Sequence, residues 1–161
     1  MEISTEDFTV KFDPDASDDL VDAWTWLVGR DKTVIMVSAI GDLFLRDENG
    51  KIFWLNVGEG KFTSAARGIQ EFDNRLKDAD QVNEWFMIDL VTALRESGKE
   101  LKENQVYSYR KLPVLGGDYT VDNFEPTDME VHFYFAGQIC EQIKDLPDGT
   151  RVNITFKPNG K

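Results

Sequence analysis

Few residues in this chain of 161 amino acids can do covalent chemistry. It has one cysteine, Cys140, and one histidine, His132. A thiolate–imidazole pair is the first chemistry they suggest. Their spacing corresponds to about 12 Å of rise along a straight helix, so they would not meet within one. A lone cysteine excludes an internal disulfide framework and a multi-cysteine zinc site. The apolar neighbours of Cys140 suit a small buried hydrophobe. His132 leaves one further arrangement, a serine or threonine activated by it. Its aromatic surroundings instead suggest a packed or surface helix residue.

Carboxylates are plentiful, with 30 acids against 18 bases. A carboxylate pair of the glycosidase kind therefore has material, but the sequence singles out no pair. Asp42, beside Gly41, is one candidate; a polar residue at a strand start explains it equally. Asp13, Asp15, Ser17 and Asp19 alternate as calcium ligands do. That reading fails because position six of the loop is Asp18, not glycine, and position twelve is Trp24, not glutamate. Helix capping by Asp15 or Ser17 fits better. Gly41, Gly58 and Gly60 match neither a P-loop nor a dinucleotide fingerprint and suit turns. In "LGGDYTVDN", Asp118, Asp122 and Asn123 could hold a ligand, but local backbone bonding is the favoured reading. No catalytic residue, cofactor or metal is assigned, and the chain reads as a non-enzyme.

The elements that position these residues follow from pattern. "DPDASDDLVDAWTWLVGR" places Leu20, Trp24, Leu27 and Val28 at helical spacing, with Gly29 as the stop. "TVIMVSAI" suits a strand buried on both faces. Leu43 and Leu45, then Ile52 and Trp54, flank Asn49-Gly50, which predicts a hairpin with a type I′ turn inside an antiparallel meander. Ile69, Phe72 and Leu76 mark a helix. Val82, Phe86, Leu90 and Leu94, widened by Trp85 and Val91, mark a second one closed by Gly98. A strand is expected over roughly 119–127, a helix over about 129–144 capped by Asp128, and a last strand in "RVNITF".

The composition is globular, 41% hydrophobic and 12% aromatic, and no apolar run approaches the length of a membrane span. No linker or repeat divides it, so residues 1–161 read as a single α+β domain. The acidic N-terminus lacks a signal pattern, which points to the cytoplasm. The net charge of −12 disfavours direct nucleic-acid binding and favours fast capture of a basic partner.

Two blocks, "IGDLFLRDENGKIFWLNVGEG" and "PVLGGDYTVDNFEPTDMEVHFYFAGQICEQIKDLPDGT", resemble a bacterial family. It is the C-terminal domain of type VI secretion DNase-immunity proteins, similar to the wider SUKH immunity superfamily. The resemblance covers roughly residues 33–150. It implies an α+β, SUKH-like fold, an antiparallel meander packed against several helices. It also implies a non-catalytic protein that silences a cognate, nuclease-type toxin by binding it. A basic DNase suits an acidic inhibitor. Asp18, Asp19 and Asp22 on the first helix, and Asp118 and Asp122 by the Gly-Gly turn, are the expected partner contacts. A regulatory or housekeeping interaction module of the same fold, without a toxin partner, is the alternative.

Overall fold

The computed structural model describes residues 5–147 and 149–156. Its centre is a five-stranded antiparallel sheet in the order β1-β2-β3-β4-β5: Thr9–Val10, Thr33–Ser38, Leu43–Arg46, Ile52–Asn56 and Lys61–Ala66. The register places Phe44 opposite Trp54 and Leu43 opposite Leu55. Helices cover both faces, so the expected α+β architecture is observed and is consistent with a SUKH-like fold. Leu43, Phe44 and Leu45 are all fully buried, because alternate residues enter two different cores.

One core holds Trp24, Leu43, Leu45, Leu55 and Phe133, and lies under α6 (Met129–Ile143) and the first helical segment. Trp24 is inaccessible, and its indole N–H donates to the Phe133 carbonyl at 2.9 Å. The other core is centred on Phe44. Its ring lies 5.2 Å from Phe72, 5.2 Å from Trp85 and 5.7 Å from Phe86. Those rings come from α3 (Ile69–Arg75) and α4 (Ala79–Phe86). A separate pair, β6 (Gln105–Tyr109) and β7 (Phe124–Asp128), is antiparallel and leads into α6. Asp128 caps α6 as expected, accepting from the N–H groups of Glu130 and Val131.

Several expectations are corrected. The first helix is broken into a 3-10 turn, α1 (Ser17–Val21), a second 3-10 turn at Asp22–Trp24, and α2 (Thr25–Val28). Asp13 caps its start, accepting from Asp15 N–H, rather than Asp15 or Ser17; the Ser17 hydroxyl donates to the Pro14 carbonyl. The Asn49-Gly50 turn is not type I′. Asp47 N–H bonds the Lys51 carbonyl and Gly50 N–H bonds the Asp47 carbonyl. Gly50 has φ 86° while Asn49 is not among the positive-φ residues, which describes a three-residue loop closed by a glycine bulge. Asp47 decides this, because its carboxylate accepts from both Asn49 and Lys51 N–H.

The predicted long second helix is also two, α4 and α5 (Ile88–Glu96), separated by Met87 at φ 50°. A left-handed non-glycine residue costs about 1–2 kcal/mol. The break re-aims the chain so that Phe86, Val91 and Leu94 are all fully buried, leaving Leu90 half-covered. The strand expected from residue 119 begins at Phe124, after a 3-10 turn at Val121–Asn123. Residues 151–156 form no strand.

Candidate partner interface

The loop joining β6 to β7, residues 110–123, is pinned at several points. Asn123 does most of this. Its side-chain oxygen accepts from Lys111 N–H at 2.9 Å, and its amide nitrogen donates to the Lys111 and Asp118 carbonyls, both at 2.8 Å. The amide thus imitates a β-bridge to Lys111. Gly117 completes the fold of the loop: a Cβ there would lie 1.9 Å from the Lys111 carbonyl oxygen, so no side chain fits. At the far end, the Lys99 ammonium donates to the Val121 and Phe124 carbonyls, each at 2.9 Å.

The loop rests on the β4–β5 turn. Val114 N–H donates to the Gly58 carbonyl at 3.0 Å. The Tyr119 hydroxyl donates to the Glu59 carboxylate, and its ring meets Tyr109 edge-on at 6.2 Å. Burial and that carboxylate both raise the Tyr119 pKa. What remains outside is Val114 and Tyr119, each 39% exposed, flanked by exposed Asp118 and Asp122. Of the nearby cations, Arg110 pairs with Glu125, which Lys99 also approaches at 3.5 Å, while Lys111 is exposed on the loop itself. Those partners hold the Glu125 carboxyl below its usual range.

Beneath this surface lies a buried polar hub. Asp42 is 1% exposed, and its carboxylate accepts from Val57 N–H at 2.9 Å. Burial pushes its pKa up to about 7, against the opposing pull of Val57 N–H and the nearby Trp54 indole. That indole N–H falls short of hydrogen-bond geometry, and the buried Tyr109 hydroxyl also lacks a partner. Immediately before Asp42, Gly41 has φ 85°, and a Cβ there would sit 2.3 Å from His132 Nε2. The imidazole fills that space, with Nε2 bonded to the Gly41 carbonyl at 2.8 Å and Nδ1 to the Ser108 hydroxyl at 2.6 Å. A carbonyl only accepts, so Nε2 carries the proton and the Ser108 hydroxyl donates to Nδ1.

Ser108 supplies the hydroxyl partner that the sequence left unspecified. The pair nevertheless makes a poor base: His132 is 3% exposed, and burial depresses its pKa to about 4. Its work is to tie α6, β6 and the β2–β3 turn together. Cys140 does not meet it. The thiol packs against Gly60 and the Val57 carbonyl, and burial pushes its pKa up to about 12.

The five expected contact residues divide between two supports. Asp118 and Asp122 flank Tyr119 on the pinned loop. Asp18 and Asp22 are exposed and Asp19 half-buried on the broken first helix, and Asp22 borders a shallow cavity of about 180 Å³ with Trp26 and Glu141. Sequence reasoning missed Glu59, Val114 and Tyr119. The Tyr beside Gly-Gly was visible, but nothing local linked it to Glu59, 60 residues away.

Residues 66–140 match the family model described as T6SS immunity protein Tdi1, C-terminal. The match bears out the resemblance read from the sequence, covering most of its second block and supporting a T6SS immunity-type domain. Among solved structures, the chain is similar to Atu4351 from Agrobacterium tumefaciens, at 20% identity and a TM-score of 0.53. That alignment covers 79% of this chain and 65% of that one, so this chain spans under two thirds of its neighbour. The likeness is one of fold. No curated protein matches.

Proposed function

We propose that this protein is an immunity protein that binds a protein toxin of a type VI secretion system and silences it by direct contact in the cytoplasm. The toxin is basic and nuclease-type, and the β6–β7 loop is part of the contact. The observation that carries this reading is how the matched residues are used. Gly117 and Asn123 shape the loop, His132 ties α6 down, and Gly137 sits against the backbone of Ala23. These residues are spent on scaffold, which suits a binding protein whose output is a rigid surface. Val114, Asp118, Tyr119 and Asp122 are what that scaffold presents.

Physical chemistry supports the partner's character. A net charge of −12 steers a cationic surface toward the complex and raises the association rate at low salt. An exposed aromatic held by a second residue loses little side-chain entropy on binding, which is the behaviour of an interface anchor. Among the described residues no helix is long and apolar enough to cross a membrane.

The test is protection. Cells expressing a candidate basic nuclease toxin should survive when this protein is co-expressed. Asp118→Lys with Asp122→Lys should slow association and flatten its salt dependence, and Asp18→Lys with Asp22→Lys is the matched comparison on the first helix. Survival that is indifferent to the protein, with no complex at low salt, would sink the proposal.

A further inference from the structure

The outward side of α6 carries Val131, Phe135, Gln138 and Gln142, spaced so that they form one stripe along the helix. The segment 151–156 lies against its C-terminal half. Gln142 engages the main chain of Thr155 with both ends of its amide: the nitrogen donates to the Thr155 carbonyl at 2.7 Å, and the oxygen accepts from Thr155 N–H at 3.1 Å. The Thr155 hydroxyl also reaches that oxygen at 3.5 Å, and the amide nitrogen has a second acceptor in the Gln138 carbonyl at 3.2 Å. One residue offers N–H and C=O to the same side only when its backbone is extended, as in a β-bridge. Beside it, the Phe156 ring meets Phe135 edge-on at 4.7 Å.

We infer that this stripe is a docking site for an extended, basic segment of the protein partner bearing an aromatic residue, and that residues 151–156 occupy it in the free chain. The identity of the partner rests on the reading above. The chemistry of the occupant is read from the segment that sits there. Within 151–156 the one charged residue is Arg151, and the sequence after Asp148 contains no acid, in a chain of net charge −12. The charged residues neighbouring Gln142 are exposed Glu141 and Asp145 with exposed Lys144 between them, a balance that is acidic by one charge and favours the cation of Arg151. The grip is incomplete. Phe156 remains 48% exposed, Phe135 40% and Val131 44%. A partner covering all three would remove more apolar surface from water than the chain's own segment does. Asn123 grips Lys111 with the same two-ended amide contact inside the pinned loop, whereas Gln142 holds a segment with no helix or strand of its own.

The probe is a fluorescent peptide of sequence RVNITFKPNGK, titrated into the full chain. Thr155→Pro with Phe156→Ala vacates the site, because proline lacks the N–H that Gln142 accepts. The peptide should bind this variant and bind the natural chain at least about tenfold more weakly, since the site is then occupied. Adding Gln142→Ala or Phe135→Ala, with folding checked by circular dichroism, should reduce binding again. Failure to bind the vacated chain, equal binding to both chains, or indifference to Gln142→Ala overturns the inference. A concentration-dependent dimer that vanishes in the Thr155→Pro, Phe156→Ala chain assigns the stripe to a second copy and overturns it as well. Toxin protection that survives while peptide binding fails sinks this inference alone. Peptide binding without any protection sinks the immunity reading alone.

Discussion

Asp42→Asn should change how the stability of this protein depends on pH. The folded-state pKa of Asp42 stands at about 7, against 3.8 for an unperturbed aspartate. The folded state therefore holds a proton that the unfolded state has lost, and stability falls as pH rises from about 4 to about 7. His132, joined to Asp42 through Gly41, has the opposite sign. Its pKa is depressed to about 4 from 6.5, so its contribution grows as pH rises through that window and is complete above 6.5. The two slopes offset each other across most of the range. Asparagine keeps an oxygen for Val57 N–H and removes the titration. Between pH 5 and pH 8 the Asp42 term spans about two pH units at about 1.4 kcal/mol each. The stability of Asp42→Asn relative to the natural chain should rise by about 3 kcal/mol over that interval. Urea unfolding at the two pH values measures it. A difference that stays within about 1 kcal/mol would refute the claim that burial of this carboxylate carries the penalty.

Two further outcomes follow from the packing. Phe44→Ala should lower stability by about 3–5 kcal/mol, because the ring is inaccessible and contacts three aromatic neighbours; chemical denaturation reads this, and a loss under about 1 kcal/mol would contradict the assigned core. Gly117→Ala should distort the β6–β7 loop, since its Cβ would collide with the Lys111 carbonyl. The expected signature is shifted NMR resonances confined to residues 110–123 and weaker toxin binding, with the sheet unchanged; an undisturbed loop would mean that this glycine is dispensable.

The fold was legible wherever the signal was local and periodic. Val34 and Val37, Leu43 and Leu45, and Ile52 alternate or cluster as half- or fully buried strands do, and Asp128 marks the start of α6 by capping chemistry alone. The breaks were not legible. Val82, Phe86, Leu90 and Leu94 fit one helix, and only the position of Phe44, 38 residues or more upstream, makes the interruption at Met87 worthwhile. Asn49-Gly50 favoured a two-residue turn until the Asp47 carboxylate, reaching across to Lys51 N–H, set a longer one. In the candidate interface, Asp118 and Asp122 were visible as charges beside Gly-Gly, while their rigid setting depended on Asn123, Lys111 and Glu59 meeting in space.

By itself the sequence determined the alternation that makes a sheet, the apolar stripes that cover it, the net charge of −12, and the scarcity of groups able to do covalent chemistry. These depend on residue type and short spacing, which chain position encodes directly. The tertiary structure alone decided that His132 is a neutral strut on Gly41 and Ser108, that Asp42 is sealed in the interior, and that Gln142 grips Thr155. Burial and hydrogen-bond geometry arise from contacts between residues as far as 109 positions apart, and no local pattern records which distant groups will share a low-dielectric interior.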